Sequence, residues 1–442
     1  MHASCAMNHL NSPLQLLNAE AVALLTRLAR VKPLALQQPA VPAARISLPA
    51  QAAIEHYLAI GRRDLRCKVK AFLAWLNARG QHTSPANAQR RFTVLRLQFN
   101  AVLAQFDIFS DVFTQRSQHE TGIWLSGLDA VAADALALPS HIRAPAVVCY
   151  LDRGAGAAIR RARTRLPGGG ENPVAIVRIP RERMVGSGIA SSLVHEVGHQ
   201  AAALLDLVCP LRMALQVKSA QSRWDQYSPW HYWERWISEI LADLWSVARI
   251  GIGSTLGLMA VVSLPRAFVF RVNLDDPHPT PWVRVKLSCA LGRVLYPDPQ
   301  WDRLARTWES LYPLEHCSPG IRKRLTKLEA GIEAFVSLLL TFRPAILKGS
   351  PLASLLVMQS RQCAVLRRLF RNWRSEPMLL YQAPPTLVFA VIGQAKADGD
   401  IDPQEEGELL TKLLTYWALR NTLDTASVCK STRQLRSSVP VT

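Results

Sequence analysis

His195 and His199 stand four residues apart, with Glu196 directly after the first, in the run His195-Glu196-Val197-Gly198-His199. The run lies in a segment, Ile189 to Val208, whose apolar residues recur at helical spacing. Residues four apart share one face of a helix, so both imidazoles can reach a single metal ion. Glu196 is then placed to take a proton from a metal-bound water. This is the arrangement used in zinc-dependent hydrolysis.

Two imidazoles need a third protein ligand. Downstream, Ser238 to Trp245 again has helical periodicity, and Glu239 and Asp243 share one of its faces. Glu239 fits as a ligand from a second helix. Asp243, one turn on, can accept a hydrogen bond from the other ring nitrogen of a ligating His. Two rivals for the third place are His231 and Asp206, the latter two turns beyond His199 on the same helix. Ala202 and Leu205 stand where a three-His metzincin pattern needs Gly and His, which excludes that pattern.

On these residues the chain resembles the gluzincin metallopeptidases, whose signature is H-E-x-x-H on one helix and E-x-x-x-D on a later one. The resemblance covers the motif positions and the helices bearing them. It implies one zinc ion per chain held by His195, His199 and Glu239, Glu196 as general base, Asp243 behind the ligands, and a peptide or protein substrate. Further on, His278-Pro279 followed by Arg284 resembles, more loosely, the segment downstream of the Glu helix in the CaaX-prenyl-protease family. That implies a cleft lined by His278 and Arg284, binding substrate carbonyls or the tetrahedral intermediate. Between the two motif helices lies an aromatic insert containing Trp224, Tyr227, Trp230, His231, Tyr232, Trp233 and Trp236. It reads either as a substrate-binding lip or as core packing. Tyr227, His231 and Tyr232 are its polar candidates for holding an oxyanion opposite the metal.

These residues need elements to position them. The expected architecture is mainly α, with a small α+β zincin-like catalytic core (a short sheet, the active-site helix and the Glu helix) flanked by helical domains. The expected division is 1–138 helical, 139–300 the metallopeptidase core, and 301–442 helical. In the first segment Gln51 to Ala78 and Gln89 to Phe113 repeat apolar residues at three- and four-residue steps. From Pro145 the texture changes: Ala146 to Leu151 and Val174 to Ile179 read as strands, separated by Pro167-Gly168-Gly169-Gly170. The last strand is expected to edge the cleft, where an extended peptide can pair with it. Ser187-Gly188 or Ser191 begins the active-site helix.

Near the C-terminus, Ala397-Asp398-Gly399-Asp400-Ile401-Asp402-Pro403 has Asp at alternate positions. An EF-hand loop needs Gly and Glu where this chain has Pro403 and Leu409. The run reads instead as helix, turn, helix, with Asp402 capping, Pro403 as first helical residue and Glu405 closing a capping box. It resembles the turn of TerB-like helical domains, over 385–420, which implies a weak divalent-cation site at Asp398, Asp400 and Asp402.

The formal net charge is +19. Its densest runs, around Arg160–Arg165, Arg322–Lys327 and Arg367–Arg374, have helical spacing and read as solvated helix faces. No nucleic-acid motif accompanies them, so nucleic acid is not the expected partner; an acidic protein is compatible with the charge. The eight Cys are scattered without a C-x-x-C pair and read as reduced residues of a cytoplasmic protein. Residues 1–36 lack the order of a signal peptide. Ile250 to Pro265 is uncharged but short for a membrane span, and reads as buried. The motif thus points to a zinc metallopeptidase. The alternatives are a non-catalytic zinc-containing scaffold of a larger assembly and a basic nucleic-acid-binding protein.

Overall fold

The protein is seen in a computed structural model describing residues 12–31, 41–79, 82–138, 141–154, 156–166, 169–181, 186–221 and 228–437, the last fourteen of these as backbone alone. The chain is mainly helical with one three-stranded mixed sheet. It forms two compact units: residues 1–122 with 162–174, and residues 123–161 with 175–442. Of the three expected segments, 301–442 falls wholly within the unit that holds the H-E-x-x-H helix, and 123–138 joins it there.

The first unit is built on α1 (Pro13–Ala29), α2 (Leu48–Arg79) and α3 (Pro85–Arg116). Ser12 and Gln15 start α1 with a reciprocal capping box, and Ser84 caps α3 ahead of Pro85. The heptad-like apolar positions Ile54, Leu58, Leu65, Val69, Phe72 and Leu76 form the buried stripe of α2. It packs on α3, with Phe72 against Phe92 (ring centroids 5.5 Å apart) and Tyr57 against Phe106 (6.1 Å). The two long helices therefore run as an antiparallel hairpin.

The second unit opens with most of α4 (His119–Leu136), followed by β1 (Val147–Asp152), β2 (Ala158–Arg160) and β3 (Ala175–Pro180). Then come α5 (Gly188–Leu204), α6 (Val208–Gln221), α7 (Pro229–Ile250), α8 (Ile252–Val262), α9 (Arg266–Val269) and α10 (Pro281–Leu295). The remaining helices are α11 (Gln300–Leu311), α12 (Pro319–Ala330), α13 (Ile332–Thr341), α14 (Ala353–Leu356), α15 (Cys363–Ser375), α16 (Met378–Gln382), α17 (Pro385–Asp398) and α18 (Pro403–Ser437). α7 is buried on every side from Glu239 to Ile250, as a helix at the centre of a domain must be. It packs against α5, α6, α8, α10 and α17. Trp233 and Trp236, from the aromatic insert, are fully buried at its start, and Trp233 stacks on Phe335 with ring centroids 4.9 Å apart. That part of the insert is core packing. Tyr227 and Trp224 lie outside the described residues.

Two sequence expectations change. The sheet order is β1-β3-β2, with β3 parallel to β1 and antiparallel to β2. The strand expected at the edge, β3, is therefore the middle one. The short strand β2, too brief to show an alternation, takes the edge. The active-site helix also ends at Leu204, before the expected Val208. Asp206 follows in the left-handed region (φ 47°), exposed, and takes no part in the metal cluster. The uncharged segment becomes α8, which buries Ile252, Ser254, Thr255, Gly257, Leu258 and Val262. At its crossing with α17 a Cβ on Gly393 would lie 2.6 Å from the Gly253 Cα, so the two backbones touch. Among the described residues no single helix is long and apolar enough to cross a membrane.

Candidate metal centre

The H-E-x-x-H helix and the Glu helix meet at a glycine. A Cβ on Gly198 would stand 2.8 Å from the Cα of Ala242 and 3.0 Å from the Cβ of Trp245. The absence of a side chain there lets α5 lie directly on α7. Gly198 lies beside His199, and Ala242 lies between Glu239 and Asp243 in sequence, so the contact brings the two motif faces together.

Ligand atoms of His195, His199 and Glu239 lie within 4.8 Å of one another, and this trio could hold a metal ion. The Nε2 atoms of His195 and His199 are 3.3 Å and 3.5 Å from the two oxygens of Glu239. The imidazole rings are nearly perpendicular, with centroids 4.9 Å apart. Glu239 is buried, and its Oε2 has no hydrogen-bond partner among the described residues. Two nitrogens and a carboxylate thus converge at ion-pair distance, with no well-aligned hydrogen bond to take up Oε2. Such a donor set suits a divalent metal cation.

Behind the trio stands a second layer. Asp243 Oδ1 accepts a hydrogen bond from His195 Nδ1 at 2.8 Å, which turns Nε2 towards Glu239. Arg284, from α10, grips the same carboxylate with two bonds: Nε to Oδ2 at 2.7 Å and Nη2 to Oδ1 at 2.9 Å. His278 reaches the cluster from the loop before α10, its Nε2 3.3 Å from Glu239 Oε2. It is held by Asp276, whose Oδ1 accepts from the His278 amide at 3.0 Å and from Nδ1 at 2.8 Å. Asp276 went unnoticed in the sequence, although an Asp two residues before a His can form such a turn.

The charges follow this geometry. Burial by itself would lower the His195 imidazolium, but the hydrogen bond and charge of Asp243, with Glu239 alongside, lift it to about 9. Burial would raise Asp243; Arg284 and His195 outweigh it and hold the carboxyl below its ordinary value. Burial would likewise raise Glu239, and the two imidazoles beside it reverse this. Glu196 behaves oppositely: burial pushes its carboxyl up, against the pull of His195 and His199. An upward shift is the direction that makes a carboxylate a better proton acceptor.

The structure thus gathers His195, Glu196, His199, Glu239, Asp243, His278 and Arg284. His231 is exposed on the first turn of α7 and belongs to no cluster with the ligand trio. Tyr232 is buried, and its ring packs against Trp236 at 5.4 Å. Neither is brought to the site. In a helix starting at Pro229 these residues lie two turns from Glu239, too far along the axis to share a metal with it.

The acidic turn does not gather a cation site. Asp398 is taken by Arg367 (2.9 Å and 3.2 Å) and Gln394 (3.0 Å). Asp402 caps α18, accepting from the amides of Gln404 and Glu405 at 2.8 Å and 2.9 Å. Among the described residues the His195, His199 and Glu239 trio is the one group with metal-ligating geometry. The helix, turn, helix reading holds here, with Pro403 first in α18 and Gly399 in the left-handed region at the end of α17. Glu405 differs from expectation by pairing with Arg374 at 3.7 Å.

One residue of that C-terminal hairpin matters to the site. Glu406, buried, accepts a hydrogen bond from the Ser187 amide at 2.9 Å and another from the Ser187 hydroxyl. Its other oxygen accepts from Lys396 Nζ at 2.8 Å. Ser187 is the residue before α5, so α18 supplies the cap that α5 lacks from its own sequence.

No protein-family model, curated protein or solved structure matches the chain.

Proposed function

We propose that the protein is a zinc-dependent metallopeptidase of gluzincin type, with His195, His199 and Glu239 as metal ligands and Glu196 as general base. The observation that carries this reading is the convergence of two Nε2 atoms on the buried Glu239 carboxylate, backed by the His195–Asp243–Arg284 chain. Zinc bound there supplies an acidified water and a polarising charge for a carbonyl. Glu196 takes the proton of the attacking water and passes it to the leaving amine. His278, its Nδ1–H held by Asp276, donates from Nε2 to the developing oxyanion in its doubly protonated, imidazolium form. Asp243 fixes the His195 tautomer, and Arg284 keeps Asp243 ionised.

A peptide as substrate is what the resemblance of the motif residues to the metallopeptidases implies; β2, at the end of the sheet, packs against the H-E-x-x-H helix α5. The free thiols of Cys67, Cys149, Cys209, Cys289, Cys317 and Cys363 support a reducing, cytoplasmic setting.

The test is zinc per chain by elemental analysis for the wild type and Glu239→Ala, followed by a peptide-library screen with Glu196→Gln as control. About one zinc in the wild type, clearly less in Glu239→Ala, and cleavage lost in Glu196→Gln are the expected results. Zinc without cleavage would move the chain to the scaffold reading, and no zinc after reconstitution would sink both.

A further inference from the structure

The α2–α3 hairpin concentrates positive charge. Between Arg62 and Phe106 the chain has nine basic residues and one acidic residue, Asp64; this tenth of the sequence carries eight of the nineteen net positive charges. Folding does not call for it. Arg62, Arg66 and Lys70 follow one another at four-residue steps on α2, where like charges destabilise a helix. Arg63, Arg66 and Lys70 form an exposed stripe opposite the buried Leu65, Val69, Phe72 and Leu76. From α3, Arg90, Arg91 and Arg96 are exposed as well.

In the second unit Arg284, Arg293, Arg367 and Lys286 have carboxylate partners, while Arg303, Arg306, Arg368 and Arg371 have none within ion-pair distance among the described residues. On the hairpin, Arg63 lies 4.0 Å from Asp64, both largely exposed. Among the described residues Arg66, Lys68, Lys70, Arg79, Arg90 and Arg96 have no carboxylate within ion-pair distance. Arg91 stacks on Trp75 at 4.4 Å, its guanidinium edge left open.

We infer that the α2–α3 hairpin is a binding arm for the phosphate backbone of nucleic acid, read without regard to base sequence. A guanidinium-rich rod matches phosphate in charge and in bidentate geometry. From Arg63 to Arg79 the arm runs about 24 Å at about 1.5 Å per residue, and a duplex strand offers a phosphate about every 3.4 Å over that length. An anionic membrane fits less well. Among the described residues of the arm, Val94 and Leu97 on α3 are the large apolar side chains most exposed, too little apolar surface to insert into a bilayer. This inference is independent of the metal site.

The test uses the full chain and a fluorescein-labelled mixed-sequence DNA duplex of about 25 base pairs, followed by anisotropy across a salt series. Binding is expected at about 50 mM salt and is expected to weaken roughly a hundredfold or more by about 200 mM. The triple variant Arg63→Gln, Arg66→Gln, Lys70→Gln should lower the slope of log affinity against log salt by about 2.7, since each phosphate contact contributes about 0.9. Its affinity at the lower salt should fall about tenfold or more. A control removing equal charge from α11 and α15 (Arg306→Gln, Arg368→Gln, Arg371→Gln) should leave the slope unchanged. Circular dichroism confirms that each variant is folded. No binding at low salt would overturn the inference, as would equal losses in the triple variant and the control. So would capture by phosphatidylserine vesicles through the same residues when DNA is not bound.

Discussion

Glu406 caps the helix that bears His195 and His199 by accepting both the amide and the hydroxyl of Ser187, 219 residues earlier in the chain. The partner is a carboxylate at a helix N-terminus, where the helix dipole favours negative charge. Lys396 holds the other oxygen. Glu406→Ala should cost about 3 kcal/mol in urea unfolding, because charged buried hydrogen bonds are worth about 1.5–3 kcal/mol each and Lys396 loses its partner. Glu406→Gln should cost less. If the Ala variant unfolds at the wild-type midpoint, the cap contributes nothing.

The same contact predicts a pH dependence. Burial would raise the Glu406 carboxyl, but Lys396 and Ser187 hold it below its ordinary value. A carboxyl depressed in the folded state stabilises the protein fully above its unfolded value, about 4.3. The contribution is lost as pH falls through the folded value. The stability gap between wild type and Glu406→Gln should therefore be constant near neutrality and close below about pH 4. A gap that persists in acid would assign the effect to packing.

Gly198→Ala separates helix propensity from packing. In an isolated helix the change should stabilise by about 1 kcal/mol. Here its Cβ would sit 2.8 Å from the Ala242 Cα. The expected result is a net loss of about 1–3 kcal/mol, as for other overpacked sites, with weaker metal retention because α5 and α7 are pushed apart. Thermal melts and metal titration decide the matter; a more stable variant with full metal affinity would show that the helices do not need this contact.

Asp243 and Arg284 should behave as a pair. Asp243→Asn removes the anion that orients His195 and should lower metal affinity about 10–100-fold. Arg284→Met leaves a buried carboxylate uncompensated, at a cost of about 3–5 kcal/mol. The double variant should be more stable than the two single losses imply. Strict additivity in a double-mutant cycle would mean the bidentate contact in the structure carries no coupling.

The candidate site was legible in the sequence where its chemistry is carried by helical spacing. His195 and His199, and Glu239 and Asp243, are four apart, and that spacing alone places each pair on a face. The helices of the hairpin and the turn at Asp402 were legible for the same local reasons, periodicity and capping. What was not legible depends on contacts between distant elements. Nothing near Glu406 points to Ser187. Gly198 reads as a weak helix residue until Ala242 is seen against it. β2 is three residues long, and its strand state comes from pairing with β3. His231 and Tyr232 were drawn in by residue type; the direction of α7 then carried them away from Glu239.

The crossing of α8 and α17, where Gly253 and Gly393 touch, bears on how the protein can be cut or shuffled. A fragment ending near residue 300 would include every proposed ligand, yet it would strip α17 from α8 and uncap α5. Domain borders drawn around the motif would give a piece that has the donors and cannot hold them in place. The indivisible part runs from Ser187 to Glu406, and recombination or truncation inside that span should be felt at the metal centre first.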